Sequence, residues 1–180
     1  GSYPSIDTHQ KLLDKKGIDK RSSGYYSTPK FISDYISNQL LELNPFGRKV
    51  LDPAVGEEEL LHNFHEAQKE IDSFDIIRHK EYTYSNFTQR DFIEYFIELK
   101  EKNHLDNEIN LDYDYYIANP PYNCHELDFI RNNKTVLKKT YESVGVNNMY
   151  SMFLSSMISL AKEGALIGVI ISDSFLTAKM

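Results

Sequence analysis

One cysteine, Cys124, among 180 residues excludes an intrachain disulfide framework and a multi-thiolate zinc site. The chain also lacks a secretory opening. No basic n-region, apolar h-region and small-residue cleavage site stands at its start, so a cytoplasmic location is expected. Long apolar runs are missing: the longest, Ala165-Leu166-Ile167-Gly168-Val169-Ile170-Ile171, falls far short of the ~20 residues that span a bilayer and reads as a buried strand. Basic excess is missing too. The formal charge of -7 argues against a uniformly basic nucleic-acid wrapper, while a local basic stripe stays compatible with phosphate contacts. Internal repeats and low-complexity tracts do not occur.

What the chain does hold suits one compact α/β domain, with 41% hydrophobic and 26% charged residues, near globular averages. Residues 1–21 are expected to form a polar segment with a short helix around Leu12 and Leu13, behind a Gly1-Ser2 pair that reads as a tag scar. The remaining 22–180 form the domain, and helix-forming sequence still running at Met180 reads as a cut fragment. Ser27-Thr28-Pro29 supplies a cap and a first-turn proline to a helix whose apolar residues Phe31, Ile32, Tyr35, Ile36, Leu40 and Leu41 recur at the 3.6 period. Lys49-Val50-Leu51-Asp52 predicts a buried strand entering the turn Pro53-Ala54-Val55-Gly56, and Leu60, Leu61, Phe64, Ala67 and Ile71 predict a helix beyond it. Further strands are expected at Ser85–Thr88, Tyr115–Ala118 and Ala165–Ile171. Helices are expected along Phe92, Ile93, Phe96 and Ile97, and along Tyr150, Phe153, Leu154, Met157, Ile158 and Ala161. Strands alternating with helices predict a doubly wound, mostly parallel sheet.

The chemistry concentrates at Asn119-Pro120-Pro121-Tyr122, directly after an apolar strand, where open α/β sheets bind ligands. Two prolines fix φ and keep the backbone extended, so the Pro120 carbonyl and the Asn119 side-chain oxygen can accept both hydrogens of one amino group. That aims the nitrogen lone pair at an electrophile. Tyr122 adds a flat face for stacking.

Here the sequence resembles the gamma-class N6-adenine DNA methyltransferases, whose signature is Asn-Pro-Pro-Tyr. The resemblance implies a Rossmann-like methyltransferase core, S-adenosylmethionine as methyl donor, and an adenine flipped out of double-stranded DNA. It also implies Asn119 and Pro120 as acceptors, Pro121 as the second motif proline and Tyr122 as the stacking platform. By the same resemblance Tyr26, Thr28 and Pro29, in Gly24-Tyr25-Tyr26-Ser27-Thr28-Pro29, belong to a cofactor-carboxylate motif, and Asp52, Pro53, Ala54 and Gly56 to the cofactor loop. Arg90-Asp91-Phe92 resembles a Gly-Asp-Phe motif whose acid, Asp91, lies near the cofactor and target amine. Asp173-Ser174-Phe175-Leu176 resembles the family's Asn-Ser-Phe-Leu. A carboxy-terminal recognition domain and a restriction subunit are the partners implied.

The chain departs from that pattern at Gly56-Glu57-Glu58, which puts a carboxylate where a second glycine is expected. Glu58 is therefore expected to resist the backbone geometry of the turn, to repel the cofactor carboxylate and so to weaken binding. Asp75, nineteen positions beyond Gly56, has the spacing of a ribose-binding acid, with a surface acid as the alternative. Too few residues separate it from the next strand for a parallel crossover of about a dozen or more, so either this unit is trimmed or residues 58–78 form one long helix. His62, His65 and Glu66 lack metal-site spacing, and Cys124-His125 lacks a base and an orienter. Arg131, Lys134, Lys138 and Lys139 fit phosphate contacts or a solvated loop alike. Two other functions share the motif logic: a protein glutamine N5-methyltransferase, and a degenerate domain kept for DNA binding or assembly.

Overall fold

The computed structural model describes residues 27–102, 109–121 and 149–171. Five strands, β1 (Lys49–Asp52), β2 (Glu70–Asp75), β3 (Asn86–Gln89), β4 (Tyr115–Ala118) and β5 (Leu166–Val169), form one sheet in the order β3-β2-β1-β4-β5. Every pairing is parallel. The order reverses between β1 and β4, so their carboxyl ends flank the crevice where doubly wound sheets bind ligands. The helices are α1 (Lys30–Leu43), α2 (His62–Glu66), α3 (Phe92–Lys102) and α4 (Met149–Leu160). None among the described residues is long and apolar enough to cross a membrane.

Strand alternation builds a core on each face. Val50, Ile71, Tyr115 and Ile117 pack with Leu40, Leu60, Leu61 and Phe64 on the α1–α2 side. Leu51, Tyr116 and Ala118 pack with Phe92, Ile93, Met152, Phe153 and Met157 on the α3–α4 side. All four residues of β4 are buried, as its uninterrupted apolar run predicts for a central parallel strand.

Three local expectations change. First, Ser27 and Thr28 do not cap α1; Pro29 occupies the N-cap with no side-chain cap bond, and its carbonyl accepts the Ile32 and Ser33 amides. Of the predicted stripe, Phe31 and Tyr35 are exposed, because α1 contacts α2 through Ser37 and Asn63 (2.9 Å) instead. Secondly, the helix expected to reach Ile71 stops at Glu66. Gln68 turns left-handed (φ 59°), with its amide bonded to the His65 carbonyl (2.9 Å) and the Lys69 amide to that of Phe64 (3.0 Å). This Schellman arrangement ends the helix and frees Ile71 to pair with Val50.

Thirdly, the long-helix alternative for 58–78 is excluded. Residues 76–85 join β2 to β3 in parallel with no helix at all. Aromatic side chains cover the sheet there: Tyr82 stacks on Phe87 (centroids 4.1 Å), Tyr84 lies against His65 (4.6 Å), and both tyrosines pack on the α1–α2-side core.

Candidate active site

Asp52 ends β1 and is fully buried. Its Oδ1 accepts the Ala54 amide (3.1 Å), which starts the turn, while Oδ2 has no hydrogen-bond partner among the described residues. Burial pushes its carboxyl well up, and the charges of Asp75, Glu59 and Glu58 push it further. Pro53 is buried and Ala54 half-buried behind it. The loop then lies across the end of β2: the Val55 amide donates to the Phe74 carbonyl (3.0 Å) and the Gly56 amide to Asp75 Oδ2 (2.9 Å). Gly56 takes φ 55°, a conformation that glycine adopts without strain.

Asp75 is not a surface acid. Its side chain is 13% exposed, Oδ1 accepts the Ile77 amide (3.3 Å), and His79 Nε2 stands 3.6 Å from the same oxygen. It closes β2 where the glycine-loop spacing predicts, and it holds that loop. Asp91 follows β3 and accepts the Ile93 amide (2.8 Å), so it caps α3. Burial raises its carboxyl, opposed by the helix amides and assisted by Glu94 and Asp75.

Glu58 departs from its expectation in the direction of its side chain. The backbone is left-handed there (φ 65°), but the carboxylate is buried and turned into the β2–β3 connection. It accepts the amides of Thr83 (2.9 Å), Tyr84 (3.0 Å) and Ser85 (2.9 Å) and the Ser85 hydroxyl (2.8 Å), with Lys80 Nζ 3.5 Å away. Three successive N–H groups make an anion-binding concavity. A carboxylate so engaged is the anchor of the short crossover.

Asn119 follows β4 at the crevice, and its Nδ2 donates to Thr28 Oγ1 at 2.9 Å. Pro120 is buried and Pro121 half-buried. Thr28 and Ser27 are tied down in turn by Glu59, whose carboxylate accepts the Thr28 amide and the Ser27 hydroxyl (3.2 Å). The exposed Pro29 starts α1 beside them. Thus the Thr28 segment, the glycine loop and the Asn119 segment converge at the carboxyl ends of β1 and β4. Tyr26, Tyr122, the basic segment 131–139 and Asp173–Leu176 lie outside the described residues, as does the boundary at 21/22. Sequence reasoning missed Glu59, His79 and Tyr82; none carries a motif, and each matters only through a partner distant in sequence. A cavity of about 590 Å³ lies at the β2–β3 edge, with Arg78, Tyr82 and Phe87 among its lining and none of the motif residues.

A family model described as the Eco57I restriction-modification methylase matches residues 14–180. The chain belongs to this family. Solved structures agree on the fold: a Listeria monocytogenes chain described as a class I S-adenosylmethionine-dependent methyltransferase superposes with TM-score 0.58 at 15% identity, over 95% of this chain and 54% of that one. The methyltransferase subunit of a type I restriction-modification system from Streptococcus thermophilus superposes with TM-score 0.51 at 10% identity, over 82% of this chain and 35% of that one. This member of the Eco57I family thus spans about half, or less, of the length of these neighbours. No curated protein matches it.

Proposed function

We propose that the chain is the catalytic domain of an S-adenosylmethionine-dependent DNA methyltransferase acting on adenine N6. The observation that carries this reading is Asn119, held by Thr28 at the end of β4 and followed by two prolines. With the Asn119 nitrogen turned to the Thr28 hydroxyl, the side-chain oxygen is the acceptor end of the amide. Asn119 Oδ1 and the Pro120 carbonyl would hold the two hydrogens of an extruded base's amino group, leaving its lone pair directed into the crevice. Tyr122 would stack on the base.

The described residues fit the cofactor. Carboxylates end β1 and β2, another follows β3, and the buried Asp52 Oδ2 has no donor among the described residues, as suits a molecule bearing ribose hydroxyls and two cationic centres. When bound, S-adenosylmethionine supplies an electrophilic methyl group. In this reading Asp75 takes the ribose, the Asp52-Pro53-Ala54 turn and Gly56 present the glycine loop, and Tyr26, Thr28 and Pro29 border the methionine carboxylate. Asp91 remains a supporting acceptor, steadied as the α3 cap. Selection of a site on double-stranded DNA falls to a carboxy-terminal recognition domain, with a restriction subunit as the partner. The degenerate-domain alternative rested on Glu58 and the short crossover, and each has a structural explanation in the other.

The test is Asn119→Ala in the full-length protein. Methyl transfer to adenine should fall at least ~100-fold, the scale of losing one positioned polar group in a dry site, with cofactor binding retained. Label appearing in cytosine or in a protein glutamine, or full activity of the variant, would refute the assignment.

A further inference from the structure

The connection 76–85 does more than join two strands. Tyr82 Oη lies 2.8 Å from the Gly56 carbonyl and 3.2 Å from the His79 amide nitrogen. The His79 amide can only donate, so it occupies the acceptor side of the hydroxyl and directs the single phenolic proton to Gly56. On its other side the Gly56 amide is held by Asp75 Oδ2 at 2.9 Å. The amide and carbonyl of one glycine are therefore clamped by side chains from β2 and from the connection. Two residues along, Glu58 fastens that connection through Thr83, Tyr84 and Ser85.

We propose that the helix-less connection is a positioning device for the cofactor loop and that Tyr82 is its positioning residue. The proposal rests on the cofactor reading above. A loop that presents its backbone to a ligand must be held before binding, or the ligand's affinity is reduced by the cost of ordering it. A connecting helix would cover the sheet, but here the same stretch places a hydroxyl on the loop. Burial pushes the Tyr82 phenol up to about 12, so its donor survives across the pH range of any assay. The Tyr82–Phe87 stack fixes the ring independently of the hydroxyl.

Tyr82→Phe in the full-length protein separates the two functions of the side chain. Amide hydrogen exchange, measured without ligand, should accelerate at least 10-fold at Val55–Glu58 and stay unchanged at Val50, Leu51, Tyr116 and Ile117. Titration should show S-adenosylmethionine binding weakened about 10-fold, and steady-state assays a matching rise in KM for the cofactor with kcat within twofold. Unchanged exchange at Val55–Glu58 overturns the clamp, whatever the cofactor does. Accelerated exchange with unaltered affinity overturns the positioning role. A wild-type protein that binds no S-adenosylmethionine refutes the cofactor reading instead, and the clamp is then decided by exchange alone.

Discussion

Thr28 and Asn119, 91 positions apart, meet in a 2.9 Å hydrogen bond that Asn119 Nδ2 donates to the Thr28 hydroxyl. The contact joins the segment entering α1 to the segment leaving β4. In the proposed function this makes Thr28 a partner of the substrate site as well as a neighbour of the cofactor loop. Thr28→Val keeps the side chain's shape and removes the acceptor. Its kcat on DNA should fall about 10-fold, one misplaced hydrogen bond's worth at ~1.4 kcal/mol, while Thr28→Ser stays near wild type. Equal rates for all three proteins would show that the amide is oriented by something else.

Glu58→Gly provides a test of opposite signs. Relief of a left-handed non-glycine backbone would stabilise by about 1 kcal/mol. Loss of a buried carboxylate leaves the three amides without their acceptor, while the Ser85 hydroxyl can turn to that of Ser73 (2.7 Å), at about 1–3 kcal/mol for each amide that water does not reach. The second effect is larger, so the melting temperature should drop by several degrees. Tighter S-adenosylmethionine binding with an unchanged melting temperature would instead place the carboxylate toward the cofactor.

Acid should loosen the amino end of β1. Asp114 Oδ2 accepts the Arg48 (2.6 Å) and Lys49 (3.0 Å) amides, and Lys162 Nζ lies 3.0 Å from Oδ1. Burial raises its carboxyl, but these bonds outweigh burial and bring it down to about 2 from 3.8. A folded-state value below the unfolded one gives stability that is present above 3.8 and lost as pH falls through about 2. Urea midpoints recorded down the acid limb should therefore fall less steeply for Asp114→Asn than for wild type. Parallel limbs would deny Asp114 this role.

Gly168 in β5 lets α1 approach the sheet: a Cβ there would lie 3.0 Å from Ile36 Cγ1 and Leu40 Cδ1. Gly168→Val should cost about 1–3 kcal/mol by overpacking, read as a lowered denaturant midpoint with an unchanged slope. A midpoint at or above the wild-type value would show that α1 yields freely.

The sequence by itself determined four of the five strands, because their signals are local; β2, whose Ile71 reads as helical, was not among them. Lys49–Asp52 and Tyr115–Ala118 are short apolar runs bounded by turns, and their bounds were readable without any partner. The Asn119-Pro120-Pro121 segment was legible for the same reason, as was the position of Asp75 after the glycine loop. Only the tertiary structure decided what those groups touch. Phe31 and Tyr35 share the helical period of Leu40, yet periodicity does not say how wide a stripe the neighbouring helix covers. Chain length showed that the β2–β3 connection falls short of an ordinary parallel crossover, and left open a trimmed unit or a long helix over 58–78. It could not show that a glutamate across the loop would anchor the connection, or that Tyr82 would hold Gly56. Asn119 reaches Thr28, and Glu58 reaches Ser85, only after the sheet has brought distant segments together. A side chain's direction is a property of that packing, and it separates a carboxylate that repels a ligand from one that holds the fold.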